Sequence, residues 1–390
     1  MRIHIYPIVS SLHDHSTIDR QTEMLLQELA QSGGFDVKIA DLDSLYEADL
    51  ALILVQSGGS EGVFLRLMDR FLPPFYLLTY GFNNSLAASM EILSFLKDRG
   101  EKAEILHGSS AYIAARIKEL ASRTSMDPVK LGIIGKPSDW LIASAVDKKK
   151  CKAILNIDLI DIEMSELIDG FNKASAADFH TSSNLEYDLR ELKASQKVSL
   201  SLDKLIEKYD LKGLTIRCFD LLDTIHTTGC LGLSLLNKKG IPAACEGDVP
   251  ALLSMYLLFQ ITGQPGFQAN PSRIDVEKNE LVFAHCTLPI NMADSYRLTT
   301  HFESGIGVAI KGEMKLTDIT IFKLSHDLDR YYVEEGKIIE NLNEANLCRT
   351  QIRIGLPDVR CFLTSPFGNH HIIVYGSWKQ KLKDYLDKLI

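Results

Sequence analysis

From residue 2 to about residue 288 the chain alternates short apolar runs with longer stretches of helical period. That alternation restricts the fold more than any other feature. Residues 2–9 (RIHIYPIV) read as a strand, and a helix over 18–32 stops at the Gly33-Gly34 pair. Strand signals return at 37–40, 50–56 and 75–80. Residues 85–98 have helical period, with Asn84 or Ser85 available as the N-cap. A second series begins near Val129, with a strand at 130–134, a turn at 135–140 leading into a helix, and strands at 153–159, 214–219 and 241–245. Residues 185–210 are charged and helical in pattern. Strands alternating with helices imply parallel sheets covered by helices.

The character changes after residue 288. Short alternating runs at 296–301, 306–311, 318–323, 331–339 and 351–354 suggest an antiparallel sheet or small barrel, closed by a helix at 380–389. The expected architecture is α/β: two Rossmann-like parallel-sheet domains at 1–128 and 129–288, then a mostly antiparallel, barrel-like β domain at 289–390. With 390 residues, 46% of them apolar, the chain can bury cores for two or three domains.

The formal net charge of −9 argues against a broad nucleic-acid surface. Seven irregularly spaced cysteines without a C-x-x-C argue against a disulfide framework or zinc ribbon and for a reduced, cytoplasmic protein. The first ten residues, broken by His4 and Pro7, do not read as a signal peptide. No apolar run reaches the roughly 18–20 residues that span a bilayer.

Three strand-end loops invite chemistry. The loop holding Ser57, Gly58, Gly59, Glu61 and Gly62 follows a strand, where ligands bind in open α/β sheets, though it equally reads as a tight strand–helix turn. Lys136 and Trp140 flank a similar loop, in which Ser138 or Asp139 can serve as an N-cap. In the third, Ala243-Ala244-Cys245-Glu246-Gly247-Asp248-Val249-Pro250, a core strand ends and an apolar helix begins. Pro250 suits the first helical turn and Asp248 suits the N-cap. Glu246 has no such local task, and a carboxylate at the end of a core strand is costly unless paired or bound to a cation. Asn270, His285 and the His370-His371 pair also sit at strand ends. Oxygen and imidazole donors of this kind suit Mn²⁺, Co²⁺ or Mg²⁺ better than a thiolate site does.

With these segments in hand, the chain resembles the L-fucose/L-arabinose isomerase superfamily. The likeness runs through Gly240–Asp248, Thr262-Gly263-Gln264-Pro265, the His285-Cys286 strand and the C-terminal histidine strand, over about residues 215–376. The resemblance implies a metal-dependent aldose–ketose isomerase working through an enediol. Glu246 would be metal ligand and base, His285 and either His370 or His371 further ligands, and Mn²⁺ the foremost metal. The family's second acid–base carboxylate falls on Asn270, which cannot take a proton. Asp248 or a neighbouring histidine would then assist, or the protein would bind sugars without turning them over.

Further pocket candidates are Arg217, His301, Glu303 and Arg349. Arg217 could pair with Asp220 or Asp223, and Glu303 with a surface cation. Arg217, Arg349 and Lys136 are the cations available to a sulfonated sugar. The resemblance also implies a homo-oligomer in which a neighbouring subunit's Ser57–Gly62 and 83–85 loops, with Asn84, reach the sugar. It implies neither a nucleic-acid nor a membrane partner.

Overall fold

The computed structural model describes residues 1–11, 15–121, 128–176, 187–387 and 389. They form two compact units, one of Met1–Pro128 with Lys148–Ile157, the other of Val129–Asp147 with Asp158–Leu389.

The first unit holds a five-stranded parallel sheet. Its order is Asp36–Ile39, Arg2–Ile8, Leu50–Val55, Phe75–Leu78, Ala103–Leu106. The Leu50–Val55 strand (LALILV) is almost wholly buried, as a central parallel strand covered on both faces must be. The strand–helix loop after it is held from within. Ser57 Oγ accepts from Ser10 N, and Gly58 N donates to Asn83 O at 2.7 Å. Asn84 occupies the N-cap position of the Ser85–Asp98 helix, but its side chain does not cap.

The second unit combines a sheet with a barrel. The sheet runs Ile157–Ile162, Val129–Ile134, Leu214–Ile216, Ala243–Ala244, with the last three strands parallel. The 153–159 expectation splits here, because 153–155 finish the Lys148–Leu155 helix and the strand starts at Ile157. Nor does a helix follow the 135–140 turn directly. The Asp139 carboxylate pairs with Arg217 instead of capping a helix. The charged 185–210 stretch forms the Leu189–Tyr209 helix, with Asp188 as its cap. Residues 185 and 186 lie outside the described residues.

The barrel is closed, antiparallel and six-stranded. Its order is Phe267–Asp275, Glu280–His285, Thr350–Gly355, Tyr331–Asn341, Asp318–Leu324, His371–Tyr375. Its first two strands precede residue 288. The second of them, Glu280–His285, is buried along nearly its whole length and so carries the apolar pattern of a parallel strand. The run at 306–311 becomes a strand only from Ala309, since Gly305 and Gly307 turn the chain at positive φ. The Ala293–Thr299 and Ala309–Met314 strands form a separate hairpin.

Inward side chains such as Phe267, Phe283, Ile321, Ile354 and Ile373 fill the barrel. Hydrogen bonds tie it to the rest of its unit. Cys245 N donates to Gln268 Oε1 at 2.8 Å, and Leu324 N donates to Ser254 Oγ at 2.9 Å. The end of the last sheet strand is thereby anchored to the first barrel strand. No helix among the described residues is long and apolar enough to cross a membrane.

Candidate metal centre

The junction after Ala243–Ala244 is strained. Glu246 has φ 63° and Gly247 φ 71°, two successive left-handed residues. A non-glycine residue there costs on the order of 1–3 kcal/mol and persists only where its surroundings hold it. Those surroundings are visible. A Cβ on Gly247 would lie 2.5 Å from Lys136 O and 2.8 Å from Pro137 Cα, so only glycine lets the two loops pass. Ser138 N donates to Glu246 O at 3.0 Å, and Gly247 N donates to Ile216 O at 2.9 Å. The helix Val249–Thr262 then starts with Asp248 as N-cap and ends at Gly263.

This turn aims Glu246 at two histidines. Ligand atoms of Glu246, His285 and His370 lie within 4.8 Å of one another, and all three residues are buried. Glu246 Oε2 accepts from Trp140 Nε1 at 2.9 Å, and Glu246 Oε1 is 3.5 Å from His370 Nε2. The His285 and His370 rings pack edge to face at 5.3 Å, and His285 Nδ1 is 2.9 Å from Thr287 Oγ1.

Beneath His370 lies a sealed ionic pair. Asp248 Oδ1 accepts from Ala251 N at 2.8 Å, both Asp248 oxygens are 3.2 Å from Lys323 Nζ, and Oδ2 is 2.9 Å from His370 Nδ1. An ionised carboxylate offers about four acceptor sites, and Asp248 has four such contacts. The carboxylate only accepts, so the proton in its bond to His370 belongs to Nδ1. The ring's Nε2 then faces Glu246.

The electrostatics follow. Burial pushes the Glu246 carboxyl up, but His370, Trp140 and His285 overcome it and hold it at about 2. Burial likewise opposes ionisation of Asp248, yet Lys323 and His370 bring it well below the usual carboxylate range. Burial depresses His370, but Asp248 and Glu246 raise it to about 9. Burial, reinforced by the His370 charge, lowers His285 to about 3.

The donor set fits a divalent cation. Asn270 Oδ1 is buried without a hydrogen-bond partner, and His370 Nε2 is buried with only the Glu246 carboxylate, at 3.5 Å, beside it. Such orphaned atoms are rare in native interiors and call for a partner. The strand register pairs Asn270 with Ala284, and alternation puts Asn270 on the same face of its strand as Gln268, which bonds Cys245 beside Glu246. One carboxylate, two imidazoles and an amide oxygen are borderline-to-hard ligands.

The other sequence candidates separate clearly. His371 turns into the barrel, against Phe362 at 4.9 Å, Tyr332 and Phe283, with Nδ1 3.2 Å from Asn369 O. Adjacent histidines on one strand thus take opposite environments. Arg217 is spent internally, on Asp139 at 2.8 Å, Asp220 at 2.9 Å and Pro137 O at 2.7 Å, and Asp223 plays no part. Arg349 donates to Thr300 O at 2.7 Å and to Thr300 Oγ1 at 3.1 Å, and lies over the Phe302 ring. Glu303 pairs with His301 Nε2 at 2.9 Å rather than with a lysine or arginine. His301 packs on Phe219, which packs on Trp140 at 5.0 Å, so these three rings line one side of the junction. Lys136 is exposed. Ser57, Gly58, Gly59, Glu61 and Asn84 belong to the first unit.

Lys323 escaped sequence reasoning altogether. It ends an alternating run, where a lysine normally reads as solvent-facing. The only signal is its position opposite the histidine strand, where Phe322 pairs with Ile372.

No protein-family model matches the chain. Among curated proteins it is 24% identical over 222 residues to a sulfoquinovose isomerase of Priestia aryabhattai, covering 53% of this chain and 50% of that protein. It is 21% identical over 342 residues to a sulfoquinovose isomerase of Alkalicoccus urumqiensis, covering 77% and 74% of the two chains. A Clostridium sp. (strain MSTE9) sulfoquinovose isomerase matches at 26% over 201 residues, 48% and 44% of the two chains. The chain spans about half the length of the first of these relatives. At these identities it is similar in sequence to sugar isomerases.

Proposed function

We propose that the protein is a metal-dependent aldose–ketose isomerase acting through an enediol, with Glu246 as the base. The observation that carries this reading is the buried Glu246–His285–His370 cluster, with the unpartnered Asn270 Oδ1 on the neighbouring strand. Glu246, His285 and His370 would hold a divalent ion, with Asn270 Oδ1 nearby. When bound, such an ion polarises a carbonyl and acidifies the neighbouring C–H.

The chain's own residues supply the proton transfer. Glu246 is ionised at neutral pH and is the acceptor for the C2 proton, which it returns at C1, while the O2 hydroxyl proton passes to O1. Trp140 Nε1 donates to Oε2 and fixes the orientation of the carboxylate. The charge on His370 is a main influence keeping Glu246 acidic. Asp248 has no acceptor site to spare and acts through His370. The half-exposed Trp140 ring and the Phe219–His301 edge form a wall against which a sugar ring can lie.

Sulfoquinovose is the first sugar to test, because the relatives are named for it. Arg217 and Arg349 are engaged by internal partners, so Lys136 is our choice for the sulfonate contact. The test is a Mn²⁺-supplemented panel of aldoses, sulfoquinovose included, run in deuterated water. The reading expects ketose product carrying solvent deuterium at C1. Asn270 favours a second reading, a sugar-binding protein without turnover. That reading holds if sugars bind and none exchanges.

A further inference from the structure

Lys323 is 2% exposed at the end of the Asp318–Leu324 strand and ranks among the largest fully buried side chains. Its Nζ meets both oxygens of Asp248, itself 0% exposed. A buried ion pair is weak as a source of stability, because desolvation offsets most of the attraction. Two charges sealed this deeply therefore ask for another role. What they touch next is His370 Nδ1, at 2.9 Å from the same carboxylate.

We propose that Lys323 is a positioning residue: it fixes the Asp248 carboxylate, which keeps a proton on His370 Nδ1 and leaves Nε2 directed at Glu246 and the bound cation. The proposal rests on reading Glu246, His285 and His370 as a divalent-metal site. Ligating histidines commonly donate their other N–H to a carboxylate, which sets the ring's orientation and basicity. Here that carboxylate is held from three sides, by the Ala251 amide at the helix start, by Lys323 from the barrel and by His370 itself. Remove the ammonium and the buried carboxylate keeps only the Ala251 amide and the His370 N–H against its charge, too little to hold it in place. The ring then loses the partner that fixes its tautomer.

The sign of the effect separates positioning from plain charge. Deleting a nearby positive charge should by itself tighten cation binding. Loss of positioning should weaken it. Mn²⁺ alone is titrated into metal-free full-length protein and followed by calorimetry. Lys323→Met should bind Mn²⁺ about 10–100-fold more weakly than the native chain, and Lys323→Arg should restore most of the loss. Lys323→Met binding as tightly as the native chain, or more tightly, overturns the proposal. If Lys323→Met does not fold, or if the native chain takes up no Mn²⁺, ¹⁵N-histidine spectra of the native metal-free protein decide. A proton on His370 Nδ1, lost or shifted in Asp248→Ala, supports the positioning contact whatever becomes of the metal reading. A His370 protonated on Nε2 alone overturns it.

Discussion

The indole N–H of Trp140 donates to Glu246 Oε2 at 2.9 Å across 106 positions of sequence. The donor is half-exposed and the acceptor buried, so the bond reaches from the surface into the centre. A hydrogen bond to a charged group is worth about 1.5–3 kcal/mol. Trp140→Phe keeps the packing on Phe219 and removes only this bond. We expect the sugar exchange rate to fall by roughly 10–100-fold on that basis. An unchanged rate would show that the indole does not orient the base.

His370 and His371 are neighbours with different duties, and substitution should split them. His370→Gln is expected to abolish measurable Mn²⁺ uptake, because its ring is one of the three clustered donors. His371→Gln breaks packing against Phe362, Tyr332 and Phe283. It should cost about 1–3 kcal/mol of stability while Mn²⁺ uptake persists. Calorimetry and urea unfolding on both variants check the split.

The alternation that makes the sheets parallel, the helix start at Asp248 and the isolation of Glu246 were legible because each depends on a few adjacent residues. Other features were not local. The choice between His370 and His371 depends on which face of the strand meets the barrel interior. The burial of Lys323 depends on a carboxylate 75 positions earlier. The Arg217–Asp220 pair was legible because the two lie three residues apart, whereas the second partner, Asp139, lies 78 positions away. The barrel's second strand, Glu280–His285, read as an α/β strand because burial on both faces removes the alternation that marks an antiparallel edge.

Gly247 is bound to its residue type twice over, by φ 71° and by Lys136 O at 2.5 Å from any added Cβ. Gly247→Ala should therefore destabilise the second unit by on the order of 1–3 kcal/mol and displace Glu246. Urea unfolding measures the first effect and Mn²⁺ affinity the second. Glycine-like tolerance at this position would contradict the crowding seen between the two loops.

The His301–Glu303 pair carries a pH signature. Burial lowers the His301 pKa, but Glu303 and Cys286 outweigh it and the net shift is upward. A raised folded-state value means the charged pair contributes its full stability below the unfolded value, near 6.5. The contribution is lost as pH rises through the folded value. Glu303→Gln should bring the His301 titration down, followed by its ring proton shifts, and flatten stability over that window. A titration unmoved by Glu303→Gln would remove the pair from the account.

The most direct test of the centre is to titrate Mn²⁺ into native protein and Glu246→Gln, then follow solvent deuterium into sulfoquinovose and neutral aldoses. The account predicts one Mn²⁺ per chain and deuterium exchange in the native protein, with both lost together in Glu246→Gln. Full exchange in Glu246→Gln, or exchange that needs no divalent ion, would contradict it.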